Sequence, residues 1–125
     1  MVLVGNTVDP WSPKTVRASA GAVFHVPVWQ VDTLDTLSAA GVRLLGTTSH
    51  DSLGVSHPES IYEADLSGLV GIVLGNEAHG LPSDAVVDLW VTIEHAGRSE
   101  SLNVAMAGTV IAMEVARHRK VESQG

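Results

Sequence analysis

An α/β domain built on a parallel sheet is the fold class this sequence predicts, on three observations. Short apolar runs of strand length alternate with segments of helical pattern, the arrangement that feeds a parallel sheet. The run Leu69-Val70-Gly71-Ile72-Val73-Leu74 is apolar without alternation, as expected of a strand covered on both faces. Glycine-bearing turns close several of these runs, at Gly5, at Gly46-Thr47-Thr48 and at Gly75-Asn76.

Taken in order, Val2-Leu3-Val4 reads as a buried strand stopped by Gly5. Residues 6–13 carry turn chemistry, and Ser12 before Pro13 is a helix start, a side-chain cap followed by a proline at the first helical position. That helix is expected to run to about Ala20, with Gly21 ending it. Residues 22–28, rich in Val and Phe, predict a strand. Asp32 or Thr33 then caps a short helix with Leu34 and Leu37 on one face, closed by Gly41. Val42-Arg43-Leu44-Leu45 predicts the next strand, opening at Gly46, and residues 49–60 form the best loop candidate. After the strand at 69–74, residues 82–88 predict a short helix and 89–93 another strand. The last element, Leu102 to about Lys120, is apolar on nearly every side up to Met113, which predicts a helix with a deeply buried first half. A large residue at Ala105 would then overpack and cost ~1–3 kcal/mol. Arg117, His118, Arg119 and Lys120 suit the negative end of that helix.

With 125 residues, the chain is expected to be a single domain, residues 1–125, with a real core. Hydrophobic content of 45% against 17% charged residues excludes a disordered chain. No apolar run approaches the ~20 residues of a membrane span, and the start lacks a basic-then-apolar signal pattern, so the expected setting is cytoplasmic. Cysteine is absent, which excludes disulfides and thiolate metal sites. Fourteen acids against seven Lys and Arg give a formal charge of −7, so any nucleic acid has to be held by a local basic patch, a partner subunit or other parts of the protein.

Two runs carry the chemistry. Gly75-Asn76-Glu77-Ala78-His79-Gly80-Leu81 follows the 69–74 strand directly, and Ser101-Leu102-Asn103-Val104-Ala105 opens the last helix. In order and spacing the pair resembles the second and third signature motifs of the SpoU (TrmH) class of SPOUT RNA methyltransferases. Asp9-Pro10-Trp11-Ser12-Pro13-Lys14-Thr15-Val16-Arg17-Ala18-Ser19 is similar to the stretch that follows the first motif, so the resemblance covers essentially the whole chain. It implies a SPOUT-type parallel sheet with a C-terminal trefoil knot, a homodimer that completes the site, S-adenosyl-L-methionine as cofactor, and methyl transfer to a ribose 2′-hydroxyl of rRNA or tRNA. Knots are nearly absent among folds, and that expectation comes from the resemblance alone.

Carried over position by position, the resemblance implies that Gly75, Ile93 and Leu102 touch the cofactor largely through backbone, with Thr47, Leu74, Asn76 and Gly80 beside it. Glu77, Ser101 and Asn103 are the implied catalytic set, Glu77 and Asn103 orienting and Ser101 touching substrate or cofactor. Their plainer roles are a turn acid, a helix cap at Ser101 and a helix-start polar residue at Asn103. An adenosyl group suits such loops, because backbone groups at the carboxyl ends of parallel strands read the base and glycines permit close approach. Gly75→Val is expected to remove cofactor binding. Arg17 is assigned to RNA phosphate, its alternative being a helix-surface arginine.

The family's first motif, with an asparagine and the arginine assigned to activating the hydroxyl, has its place before the Asp9-Pro10 region. The chain is therefore expected to be shortened at the front, as a domain fragment, a shortened gene model or a degenerate member. An upstream reading frame bearing that motif favours the enzyme. A genuine start at Met1 favours a non-catalytic module that binds RNA or protein as a dimer. A generic nucleotide-binding domain needs a phosphate loop, and the 75–80 turn lacks the Gly-Lys-Ser/Thr ending. No metal is expected: His50 and His57 share a loop with Asp51 and His79 follows Glu77, without metal-ligand spacing. Trp90, inside an apolar run, is expected in the core, whereas Trp11 and Trp29 suit base stacking or a subunit contact.

Overall fold

The computed structural model describes residues 1–49, 54–55, 57–76, 79–94 and 102–124, with the backbone alone at residue 122. These form two compact units, residues 1–40 and 41–125.

The first unit holds two strands, β1 (Val2–Val4) and β2 (Trp29–Val31), paired in parallel with Val2 opposite Trp29. Between them lies helix α1 (Pro13–Ala18), followed in the unit by α2 (Asp35–Ala39). Ser12 caps α1 as its position suggests: its side chain accepts the Thr15 N–H at 3.3 Å, with Pro13 opening the first turn. The helix ends two residues before the expected Ala20, which itself takes a left-handed φ of 48° ahead of Gly21 at 87°.

The strand expected at residues 22–28 does not form. Ala22–Phe24 is a single 3-10 turn, and the strand is displaced to β2. Left-handed Gly21 turns the chain into that 3-10 turn, and Pro27 has no N–H to give a ladder, so β-rich composition loses to local backbone constraint. The second short helix starts at Asp35, without a side-chain cap from Asp32 or Thr33, and Gly41 follows it at φ 80°.

The second unit is a four-stranded sheet with helix α3 (Val104–Glu122) packed on it. Its strands are β3 (Arg43–Thr47), β4 (Glu59–Ser60), β5 (Val70–Val73) and β6 (Leu89–Thr92), in the order β4-β6-β3-β5, and every pair is parallel. Thus the α/β class and the parallel sheet are as expected. Strand β3 runs two residues further than expected, taking in Gly46 and Thr47. Leu44 and Leu45 alternate across the sheet and both are fully buried, so both faces of this central strand are covered. Leu45, Ile61, Ala64, Leu66, Val91 and Ile111 make the core, with Ile72, Leu89, Ile93 and Val115 against it. Trp90 is half-buried rather than fully interior.

Residues 82–88 form turns, not the expected helix; the Ala85 N–H bonds the Pro82 carbonyl, and the segment ends in a tie to β3. The Asp88 N–H donates to the Leu44 carbonyl at 2.8 Å, and Asp88 Oδ2 accepts the Leu44 N–H at 2.7 Å. Seven residues do not nucleate a helix against that long-range pairing. Asp88→Ala leaves the Leu44 N–H without its acceptor beside a buried side chain, so a loss of about 1–3 kcal/mol is expected in urea unfolding. An unchanged midpoint would show that the bond carries no net stability.

Helix α3 departs most from expectation. Among its described side chains only Ile111 and Glu114 are buried, while Ala105 is exposed and Met106 and Met113 are 61% and 69% exposed. The sheet covers one side of this helix and leaves the other apolar side bare, so overpacking does not apply at Ala105. Glu114 is held by Arg117 one turn on, whose Nε lies 3.0 Å and Nη2 2.5 Å from the two carboxylate oxygens. The Arg117 hydrogen bonds keep the Glu114 carboxyl below its ordinary value against the opposing effect of burial. The unfolded chain therefore binds this proton more readily. The stabilisation is complete above the ordinary carboxylate range and drains away as pH falls through the lowered folded value. Urea midpoints measured from neutral to about pH 3 are expected to fall less steeply in Glu114→Gln than in the parent. No helix among the described residues is long and apolar enough to cross a membrane.

Candidate functional site

The carboxyl ends of β3, β5 and β6 and the start of α3 surround one cavity of about 480 Å³. That volume falls in the ~300–1,000 Å³ range of small-molecule sites. Open parallel sheets place ligands at this edge, because the loops leaving the strands all emerge there.

Cross-strand hydrogen bonds hold the rim together. Thr47 Oγ1, at the end of β3, donates to the Val73 carbonyl at the end of β5 (3.0 Å). The next residue, Thr48, donates its N–H to the Val91 carbonyl of β6 (3.0 Å). Two successive threonines thus tie one strand end to both neighbours. Beyond β5 the chain turns back on itself, with paired backbone bonds between Asn76 and Gly80 at 2.7 and 3.2 Å. Gly80 has a left-handed φ of 65°. Gly75 is required for a different reason: a Cβ there would overlap the Gly80–Leu81 peptide.

On the opposite side, Asn103 caps α3, its Oδ1 accepting the Ala105 and Met106 N–H groups at 2.9 and 3.4 Å. Gly108, one turn on, lets the helix approach β5; a Cβ there would lie 3.0 Å from Leu74 Cδ1. Val91 and Ile111, both essentially inaccessible, close the cavity from the core side.

The cavity lining includes every position assigned to the cofactor from sequence: Thr47, Leu74, Gly75, Asn76, Gly80, Ile93 and Leu102. Asn103 lines it as well, and its side-chain oxygen is engaged in the cap, which sequence reasoning had offered to Ser101. Glu77 and Ser101 lie outside the described residues, as do His50 and Asp51. Arg17 belongs to the first unit, where it is exposed on α1.

Sequence reasoning missed Thr48, Ser49, His79, Leu81, Val91, Thr92, Val104, Ala107 and Ile111 as lining residues. Thr48, His79 and Leu81 sit inside the quoted turns and were within reach. Val91, Ala107 and Ile111 were not, because an apolar residue facing a cavity has the same sequence signature as one facing the core. Among the described residues, no group of three metal-ligating side chains is assembled.

Residues 1–113 match the model of the SpoU rRNA Methylase family. A 23S rRNA (uridine(2479)-2′-O)-methyltransferase of Streptomyces viridochromogenes is 32% identical over 95% of this chain and 43% of its own length. A 23S rRNA (guanosine(2553)-2′-O)-methyltransferase of Bacillus subtilis is 30% identical over 89% of this chain and 44% of its own. Among solved structures, an AdoMet-bound rRNA methyltransferase from Sinorhizobium meliloti matches with a TM-score of 0.77 and 33% identity, covering 94% of this chain and 45% of that one. The chain spans less than half the length of each of these relatives.

Proposed function

The chain belongs to the SpoU rRNA methylase family, and from that premise we propose that it forms the cofactor-binding part of an S-adenosyl-L-methionine-dependent enzyme that methylates a ribose 2′-hydroxyl of rRNA or tRNA. The observation that carries this reading is the cavity at the strand ends, floored by apolar side chains and lined by Ile93, Leu102 and the glycines Gly75 and Gly80, which bring main chain to its wall. The residues fit the group. An adenosyl moiety needs an apolar slot with close backbone approach, and the crowding at Gly75 shows how little side chain that wall tolerates. When bound, the cofactor supplies an electrophilic sulfonium methyl.

The protein's own contribution is positional. A sugar hydroxyl is a weak nucleophile at neutral pH, so orientation toward the methyl and acceptance of its proton both need assistance. Asn103 keeps the α3 terminus at the cavity, and Thr47 and Thr48 keep three strand ends in register. Glu77 and Ser101 belong to the proposed site by their motifs, Glu77 as an orienting group and Ser101 as a contact to substrate or cofactor. Arg17 is proposed as an RNA contact. The reaction belongs to the whole protein, acting in the cytoplasm where its RNA is found, and residues 1–125 are read as one SpoU-type domain. The C-terminal trefoil knot is part of the same proposal.

A homodimer is proposed as well, supported by the bare apolar side of α3, where Met106 and Met113 stand in solvent. Sedimentation is expected to show a dimer in the parent and a monomer in Met113→Lys. A parent that sediments as a monomer at high concentration removes the dimer.

Calorimetry with S-adenosylmethionine, or with its demethylated product, tests the reading. One site per chain is expected; no heat at high protein concentration would overturn it. Activity of the whole protein is read by alkaline hydrolysis of treated RNA, since a 2′-O-methyl group protects the adjacent linkage.

A further inference from the structure

We propose that the surface around Trp11 and Phe24 in the first unit docks single-stranded RNA, with bases stacking on the aromatic pair and phosphates meeting Lys14 and Arg17. The proposal rests on the ribose-methylation reading and assigns the RNA a place on this chain. Residues 10–31 form the longest stretch without a carboxylate in a chain of net charge −7, and they contain Lys14, Arg17 and His25. The same stretch contains three of the chain's five aromatic residues, Trp11, Phe24 and Trp29. Local charge is therefore the reverse of the molecule's, as a nucleic-acid contact on an acidic protein requires.

The fold leaves these rings in solvent and holds two of them together. Trp11 is 55% and Phe24 66% exposed, yet their ring centroids are 6.3 Å apart with planes inclined at 32°. Aromatic pairs at that separation attract each other, and two large rings kept together in water offer a ready stacking platform. Trp11 is not free to drift. Its N–H donates to Asp9 Oδ1 at 2.9 Å, and the following residue, Ser12, caps α1. The Asp9 carboxylate thus accepts the backbone bond that places the ring.

Lys14 and Arg17 are three apart on α1, on one face of the helix, and both are exposed. Neither forms an ion pair among the described residues, whose ion pairs are Arg43–Asp65 and Arg117–Glu114. Unpaired cations on the helix that begins two residues after an exposed tryptophan suit a phosphate backbone with unstacked bases. A second copy of the chain is the less favoured occupant here. Subunit contacts exclude charge from their centre, and the apolar side of the first half of α3, at Met106 and Met113, answers that need better.

The test is titration of a short oligouridylate into the full chain at low salt, followed by fluorescence, beside calorimetry with S-adenosylmethionine. Trp11→Ala is expected to weaken RNA binding about tenfold. Lys14→Ala with Arg17→Ala is expected to weaken it and to flatten the salt dependence by about 1.4 units in the log–log slope. Cofactor heat should be unchanged in both. Phe24→Leu, which keeps apolar bulk without a ring, should behave as Trp11→Ala. Parent-like RNA affinity in all three variants overturns the proposal while leaving the cofactor reading intact. A shift in sedimentation with RNA affinity unaltered also overturns it, making the face a subunit contact. No RNA binding by the parent overturns it too, and calorimetry then reports separately on the cofactor site.

Discussion

Replacing Gly75 with valine is expected to lower S-adenosylmethionine affinity at least a hundredfold, to the limit of calorimetric detection, while far-UV circular dichroism stays that of a folded α/β protein. Sequence reasoning reaches the same outcome by supposing that the side chain would occupy the cofactor's approach to the backbone. The structure supplies a stronger cause. The first atom of any side chain at this position overlaps the Gly80–Leu81 peptide, and a peptide, unlike the end of a flexible side chain, has nowhere to rotate. The Asn76–Gly80 pairing must open, and with it one wall of the cavity. Gly80→Ala is a useful contrast: its Cβ has open space, so only the left-handed backbone resists, at roughly 1–2 kcal/mol. Parent affinity in the valine variant would remove Gly75 from the site.

Leu45→Ala is expected to be the most damaging single truncation, at about 2–5 kcal/mol in denaturant unfolding. Leu45 is wholly inaccessible on the central strand β3 and belongs to one cluster with Ile61, Val91 and Ile111. Those partners come from three other parts of the chain, so no local adjustment fills the space left behind. A domain of this size has only ~5–15 kcal/mol in hand. Weaker cofactor binding should follow, since the same strand ends in Thr47 at the cavity rim. By contrast, Ala105 is exposed, so a larger residue there overpacks no core among the described residues. A loss below about 1 kcal/mol for Leu45→Ala would mean that the core around β3 is loosely filled.

Local backbone chemistry was readable wherever one residue acts on its immediate neighbours. Ser12 before Pro13 announced a helix, and the unbroken apolar run at 69–74 announced a strand, although β5 lies at a sheet edge and is half-buried rather than covered on both faces. The glycine-flanked turn after it held the site's main-chain wall. Reading failed where distant residues outvote local preference. The β-rich stretch 22–28 yielded to Gly21 and Pro27, and 82–88 yielded to the Asp88–Leu44 bonds. Ile61, Ala64 and Leu66, all core residues, sit in a segment whose polar neighbours disguise them.

The capped first helix, the apolar strand runs, the glycine-closed turns and the two motif runs were determined by the sequence itself, because each depends on contacts within a few residues. The expected alternation of strands with helices was not, since β3 to β6 follow one another without a helix among the described residues. That residues 47–49, 74–76 and 91–93 meet the start of α3 around one cavity was decided only by the tertiary structure. So was the exposure of one side of α3, together with the pairing of Trp11 with Phe24. Such meetings depend on strand order and on hydrogen bonds between residues tens of positions apart, Thr47 to Val73 or Thr48 to Val91, and interactions of that range leave no periodicity along the chain.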